Sequence, residues 1–249
     1  MILHIPHSSR IIPPSMREQL LLDNDELQHE LLRMTDAYTD ELFSVPSGQS
    51  VIFPLSRLVV DVERFPNDDD EPMAKVGMGA VYTKTSDGRS LRRPLSSEER
   101  GILMQEYRAH HEMLRKLVLE EISTCSCALI VDCHSFPSTP LPCDQDQRVP
   151  RPDFCVGTVK HSTPEHIITV ALKALSTSGF TVALNAPYAG SMLPLECSEE
   201  KDPHIMTIMI EVNRQLYMDE ATGEKKDTFP MLEDHLRRTL EKLRMVSPY

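Results

Sequence analysis

Leu129-Ile130-Val131-Asp132-Cys133-His134-Ser135 is an apolar run that stops abruptly on an acid, an imidazole and a hydroxyl. An apolar run of this length with little polar alternation suits a strand buried on both faces, as in a parallel sheet. Polar groups at the end of such a strand lie at the carboxyl edge, where open α/β sheets bind their ligands. The opening Met1-Ile2-Leu3-His4-Ile5-Pro6-His7-Ser8 repeats the pattern. Two strand ends that each carry His and Ser point to a metal or acid/base site assembled across a sheet.

The rest of the chain alternates strands with helices. Strands are predicted over 1–7, 50–54, 57–64, 127–133, 154–158, 180–184 and 205–212. A short helix is predicted over 16–22 and a longer one from Asp25 to Phe43, with Leu27, Leu31, Met34, Tyr38 and Leu42 at helical spacing. On that helix Asp36 and Asp40 are four apart and share a face. Ser96 and Glu99 make a capping box for a helix running to about 122, and further helices are predicted over 164–178 and 228–245. Residues 66–93 are polar and lack periodicity, the mark of a functional or disordered excursion. The alternation predicts a mostly parallel sheet with helices on both faces, in one domain spanning 1–249.

A net charge of −12 repels nucleic-acid phosphates and anionic membranes, so no nucleic acid or membrane partner is expected. No run of ~18 apolar residues is present to span a bilayer. The first residues read as a strand rather than a signal peptide, and the expected location is cytoplasmic. Cysteines 125, 127, 133, 143, 155 and 197 form no CxxC pair and are expected to be free thiols in a reducing compartment. Phosphate-binding glycine loops, HExxH and GxSxG patterns are absent from the sequence.

His7 and His134 both follow apolar strands and suit zinc, whose catalytic sites take three protein ligands and one open position. The third ligand is expected to be a carboxylate, Asp36 or Asp40; the alternative is a solvated acidic helix face. Glu211 ends a strongly apolar strand and is either a general base or the partner of Arg214. Arg57 and Arg64, seven apart, face opposite sides of a regular strand, so one can clamp a substrate carboxylate while the other pairs with Asp61. Arg89, Arg92 and Arg93 are further candidates, or surface charges. Tyr188-Ala189-Gly190 either presents N–H groups to an oxyanion or makes a plain turn. His110 and His111 point about 100° apart on a helix, so they are not expected to bind one metal together; either one of them reaches the site or they belong to the helix surface or core.

Taken together these motifs resemble the N-formylglutamate amidohydrolase (N-formylglutamate deformylase) family. The resemblance rests on His4-Ile5-Pro6-His7-Ser8, Thr35–Leu42 with its two aspartates, Arg57–Arg64, Asp87-Gly88-Arg89, Asp132-Cys133-His134-Ser135, Pro152-Asp153 with Gly157-Thr158, and Ile210–Arg214 with Tyr217-Met218, in family order. It implies a three-layer α/β/α fold with a mixed, mostly parallel sheet, similar to zinc-dependent exopeptidases (phosphorylase/hydrolase-like). It also implies cleavage of an N-formyl or N-acyl amino acid, as in histidine breakdown, by attack of a metal-bound water. The carried-over roles are His7, Asp36 and His134 as metal ligands, with zinc the preferred divalent ion. Glu211 is the carried-over base, and Arg57, Arg64, Tyr188 and Gly190 bind the substrate.

The expected partner is a small anionic N-acyl amino acid, and self-association into a homo-oligomer is compatible with the sequence. Three positions depart from the family pattern: Ser9 and Ser191 replace glycines, and Glu63 replaces the usual Asn, adding negative charge beside the clamp. Two other readings share these residues: a zinc carboxypeptidase-like peptidase on short peptides, and a non-catalytic binder of acidic amino-acid derivatives.

Overall fold

The two most apolar runs of the chain become the two central strands, β3 (Ala128–Phe136) and β6 (Ile205–Asn213), and every residue in both is buried. In this computed structural model, which describes residues 1–45, 48–195 and 202–246, four shorter strands flank them. These are β1 (Ile2–Ile5), β2 (Gln49–Ile52), β4 (Phe154–Gly157) and β5 (Val182–Leu184). The sheet order is β2-β1-β3-β6-β4-β5. β2, β1, β3 and β6 are mutually parallel, and β4 runs antiparallel to β6 with β5 parallel to β4. The mixed, mostly parallel sheet therefore agrees with the sequence reading.

Alternation along the strands sorts side chains to two faces. Leu129, Val131 and Cys133 with Leu3, Ile5 and Ile208 pack against α5 (Glu165–Leu175) and α6 (Phe229–Val246). Ile2, Ala128 and Ile130 face the other way, onto Leu114 and Val118 of α4 (Ser97–Cys125). The predicted capping box is present there: Ser96 Oγ accepts from the Glu99 N–H, and Glu99 accepts from the Ser96 N–H. Among the described residues, no helix is long and apolar enough to cross a membrane. Cys133 and Cys155 are buried thiols, and Cys197 lies outside the described residues.

The short helix expected over 16–22 stands instead at α1 (Pro14–Arg17), and two longer predicted elements are overturned. The long helix breaks into α2 (Asn24–Met34) and α3 (Thr39–Leu42), with Tyr38 at φ 66° between them. The Asp36 N–H bonds the His7 carbonyl at 2.9 Å instead of an intrahelical carbonyl, which draws this segment to the sheet edge. Asp36 and Asp40 consequently share no helix face: Asp36 is buried and Asp40 is exposed.

Residues 57–64 form turns rather than a strand. Their apolar residues are buried against Ala80, Val81 and Tyr82 of the 66–93 excursion, not against the sheet. That excursion is ordered by its own contacts, with a short 3₁₀ helix at Pro72–Val76 and buried Met78.

Candidate active site

Strand register sets the foundation. His4 pairs across with Asp132, and His134 with Glu211. All four share the α4 side of the sheet, near its carboxyl edge. His7 follows β1, Asp36 follows α2, and the 57–64 turns bring in Arg57, Asp61, Glu63 and Arg64. A cavity of about 740 Å³ is lined by His7, Asp36, Arg57, Glu63, Arg64, His134, Tyr188, Gly190 and Glu211. All eight residues predicted for the site line it; Arg89, Arg92 and Arg93 do not. Arg92 instead donates to the Leu58 and Val59 carbonyls. Arg89 pairs with Glu26 and Asp87, and Arg93 with Glu99.

The two imidazoles stand 5.2 Å apart between centroids. His7 Nε2 donates to Asp61 Oδ1 at 2.9 Å. Its Nδ1 is buried without a hydrogen-bond partner, 3.8 Å from both Asp36 Oδ2 and Glu63 Oε2. His134 Nδ1 lies 3.0 Å from Asp36 Oδ2. Its Nε2 lies 3.0 Å from Asp132 Oδ1 and 3.1 Å from Glu63 Oε2. Burial pulls both imidazole pKa values down, but the surrounding carboxylates win and hold both above the ordinary range. Asp36, Asp61, Glu63 and Asp132 crowd around the two imidazoles, with Arg57 and Arg64 on Asp61 and Arg214 on Asp36.

Burial alone would raise Asp36, Asp61 and Asp132. The hydrogen bond with His134, aided by the nearby His7 and Arg214, instead holds Asp36 well below the carboxylate range. Arg57 and His7 do the same for Asp61, and His134 and His4 for Asp132. Arg214 pairs with Asp36 at 2.8 Å, not with Glu211 as one reading had it. Glu211 keeps a buried Oε2 with no hydrogen-bond partner, and desolvation pushes its pKa up to about 8.

Arg57 and Arg64 do not diverge. With no strand to separate them, both reach the Asp61 carboxylate, at 2.7 and 3.5 Å. Tyr82 also donates to Asp61, which is thus the hub of this side of the site. Arg57 is largely consumed there, while Arg64 keeps a side chain 27% exposed toward the cavity.

Tyr188 Oη accepts from Arg151, a buried cation that sequence reasoning did not single out. The Tyr188–Gly190 loop is seated closely on β4: a Cβ at Gly157 would stand 2.3 Å from the Gly190 carbonyl oxygen, so that position admits only glycine.

His110 and His111 are both buried. His110 Nε2 meets His4 Nε2 at 2.8 Å, and His111 Nε2 donates to the Val62 carbonyl at 2.8 Å. Burial holds their pKa values at about 2 and about 4. Both are depressed in the fold, so the stability they contribute is complete above pH ~6.5 and is lost as the pH falls toward those values. For His111 the loss between pH 6.5 and 4 is about 3 kcal/mol. Thermal unfolding followed between pH 7.5 and 4.5 should show His111→Phe with a shallower acid destabilisation than the parent; equal slopes would refute this.

The family model for N-formylglutamate amidohydrolase matches residues 1–218. The chain belongs to that family. It is accordingly a hydrolase of amide carbon–nitrogen bonds. The crystal structure of N-formylglutamate amidohydrolase from Ralstonia eutropha JMP134 superposes with a TM-score of 0.80 at 23% identity, covering 98% of this chain and 91% of that one. A gene product from Agrobacterium tumefaciens superposes with a TM-score of 0.62 at 17% identity, again covering 98% and 91%. At these identities the two structures establish the shared fold. No curated protein matches the chain significantly.

Within this amidohydrolase frame, Glu63 is the residue whose place the sequence did not reveal. From the sequence alone it is only extra negative charge beside the arginine clamp. In the fold its carboxylate instead meets the imidazoles of His4, His7 and His134. The turn at 61–63, held by the Glu63 N–H bond to Asp61 Oδ1, swings it there.

Proposed function

We propose that the protein hydrolyses the amide of an N-formyl or N-acyl amino acid such as N-formyl-L-glutamate, releasing formate and glutamate, with the help of a divalent metal, zinc by preference. The observation that carries this is the convergence of His7 and His134 beside the raised Glu211 in one cavity. His7 and His134, with Asp36 between them, are the proposed ligands. Their fit rests on the orphaned, buried His7 Nδ1 and on Asp61, which holds the other nitrogen of that ring as an outer-shell partner does. When bound, such a metal supplies positive charge for the developing oxyanion and acidifies water.

The chain's own residues do the remaining work. Glu211 Oε2 takes a proton from the attacking water as its oxygen bonds to the acyl carbon. Glu211 then returns that proton to the departing nitrogen as the carbon–nitrogen bond breaks. A carboxyl group with a pKa of about 8 suits both transfers near neutral pH. Arg64, the less committed guanidinium, holds the substrate carboxylate, while Arg57 keeps Asp61 in place. Tyr188 and Gly190, which also line the cavity, complete the substrate's surroundings.

The test is a side-by-side assay of N-formylglutamate, other N-acyl amino acids and dipeptides, with metal analysis of the freshly purified protein. Hydrolysis of the acyl amino acids with metal present is expected. Preference for dipeptides would favour the peptidase reading, and binding without turnover the non-catalytic one. Arg64→Gln is expected to raise KM about tenfold or more with kcat nearly unchanged, as loss of uniform binding does. A fall in kcat at constant KM would show that Arg64 acts on the reacting atoms instead.

A further inference from the structure

Glu63 belongs to two donor groups at once. The donor atoms of His7, Glu63 and His134 lie within 4.8 Å of one another, and so do those of His4, Glu63 and Asp132. The first group overlaps the metal site proposed above. The second does not: His4 is fully buried on β1, and the proposed reaction gives it no role.

The two oxygens of Glu63 face different neighbours. Oε2 lies 3.8 Å from His7 Nδ1 and 3.1 Å from His134 Nε2. Oε1 lies 3.6 Å from His4 Nδ1. No arginine or lysine pairs with Glu63 among the described residues, and the unpartnered His7 Nδ1, in a side chain only 2% exposed, lies 3.8 Å from it. A carboxylate placed between two sets of nitrogen and oxygen donors is the arrangement that holds paired cations.

The second donor group also has its outer support. His4 Nδ1 lies 2.8 Å from Asp132 Oδ1, while His4 Nε2 is held by His110 Nε2 at 2.8 Å. The other Asp132 oxygen accepts from the Met192 N–H at 2.8 Å. His4 and Asp132 are therefore each fixed in orientation by a group behind them, as ligating His and carboxylate side chains are. Glu63 and Asp132 both line the cavity, which gives a cation its route in.

We propose that this chain binds a second divalent cation at His4, Asp132 and Glu63, with the Glu63 carboxylate shared between it and the cation at His7 and His134. The proposal rests on the single-metal reading of the site and adds to it.

The full-length protein, stripped with a chelator, is titrated with Zn²⁺ and separately with Mn²⁺, and bound metal is counted by equilibrium dialysis. Two equivalents are expected, with the Mn²⁺ form giving an exchange-coupled electron paramagnetic resonance spectrum, because one carboxylate joins the ions. His4→Gln and Asp132→Asn, each checked for folding by circular dichroism, are expected to retain one equivalent and lose the coupled spectrum. One equivalent in the parent protein overturns the second site and leaves the single-metal reading intact. Two equivalents in both folded variants overturns the assignment to His4 and Asp132. No bound metal at all overturns both proposals.

Discussion

Glu211→Gln is expected to lower kcat by about 10² to 10⁴-fold while leaving bound metal and fold unchanged. The substitution keeps the side chain's size and removes its ability to accept a proton. Glu211 Oε2 has no hydrogen-bond partner, so the substitution breaks no hydrogen bond of that oxygen. The raised pKa, about 8, arises chiefly from desolvation, so near neutral pH the carboxyl takes up a proton on folding, a cost that the neutral amide does not carry. The variant should therefore unfold at the same temperature as the parent or higher. A large drop in stability would show that the carboxylate holds the fold, and activity within a few-fold of the parent would remove Glu211 from the chemistry.

His134→Ala is expected to abolish both bound metal and hydrolysis. His134 is the residue on which the site's carboxylates meet: Asp36 at Nδ1, and Asp132 and Glu63 at Nε2. Removing it leaves those charges facing one another in a buried space, so stability falls as well, by roughly 3–5 kcal/mol on the scale of a broken buried pair. Metal content is therefore measured on protein shown to be folded by circular dichroism, at a temperature below its lowered midpoint. Metal retained at the parent's stoichiometry would contradict the assignment of His134 as a ligand.

The elements read most clearly from the sequence were those whose signal is local. β3 and β6 are apolar runs long enough to need burial on both faces, and both became central strands. α4 was announced by Ser96 and Glu99, whose reciprocal hydrogen bonds lie within one turn. The failures came where a distant group outcompeted local preference. The periodicity of 25–43 is helical, but the His7 carbonyl captures the Asp36 N–H and the helix ends at Met34. The alternation in 57–64 resembles a strand, but those side chains are buried by the later excursion, which turns the backbone and gathers two arginines on Asp61.

The order of residue types along the chain determined the sheet, its helical layers and the set of side chains able to supply acid, base and ligand chemistry, because burial and capping depend on neighbours in sequence. Only the tertiary structure decided which of them meet. It buried Asp36 and exposed Asp40, turned Arg214 toward Asp36 rather than Glu211, and carried Glu63 in among His4, His7 and His134. Those encounters depend on hydrogen bonds and ion pairs between segments far apart in the chain, and no local pattern records them.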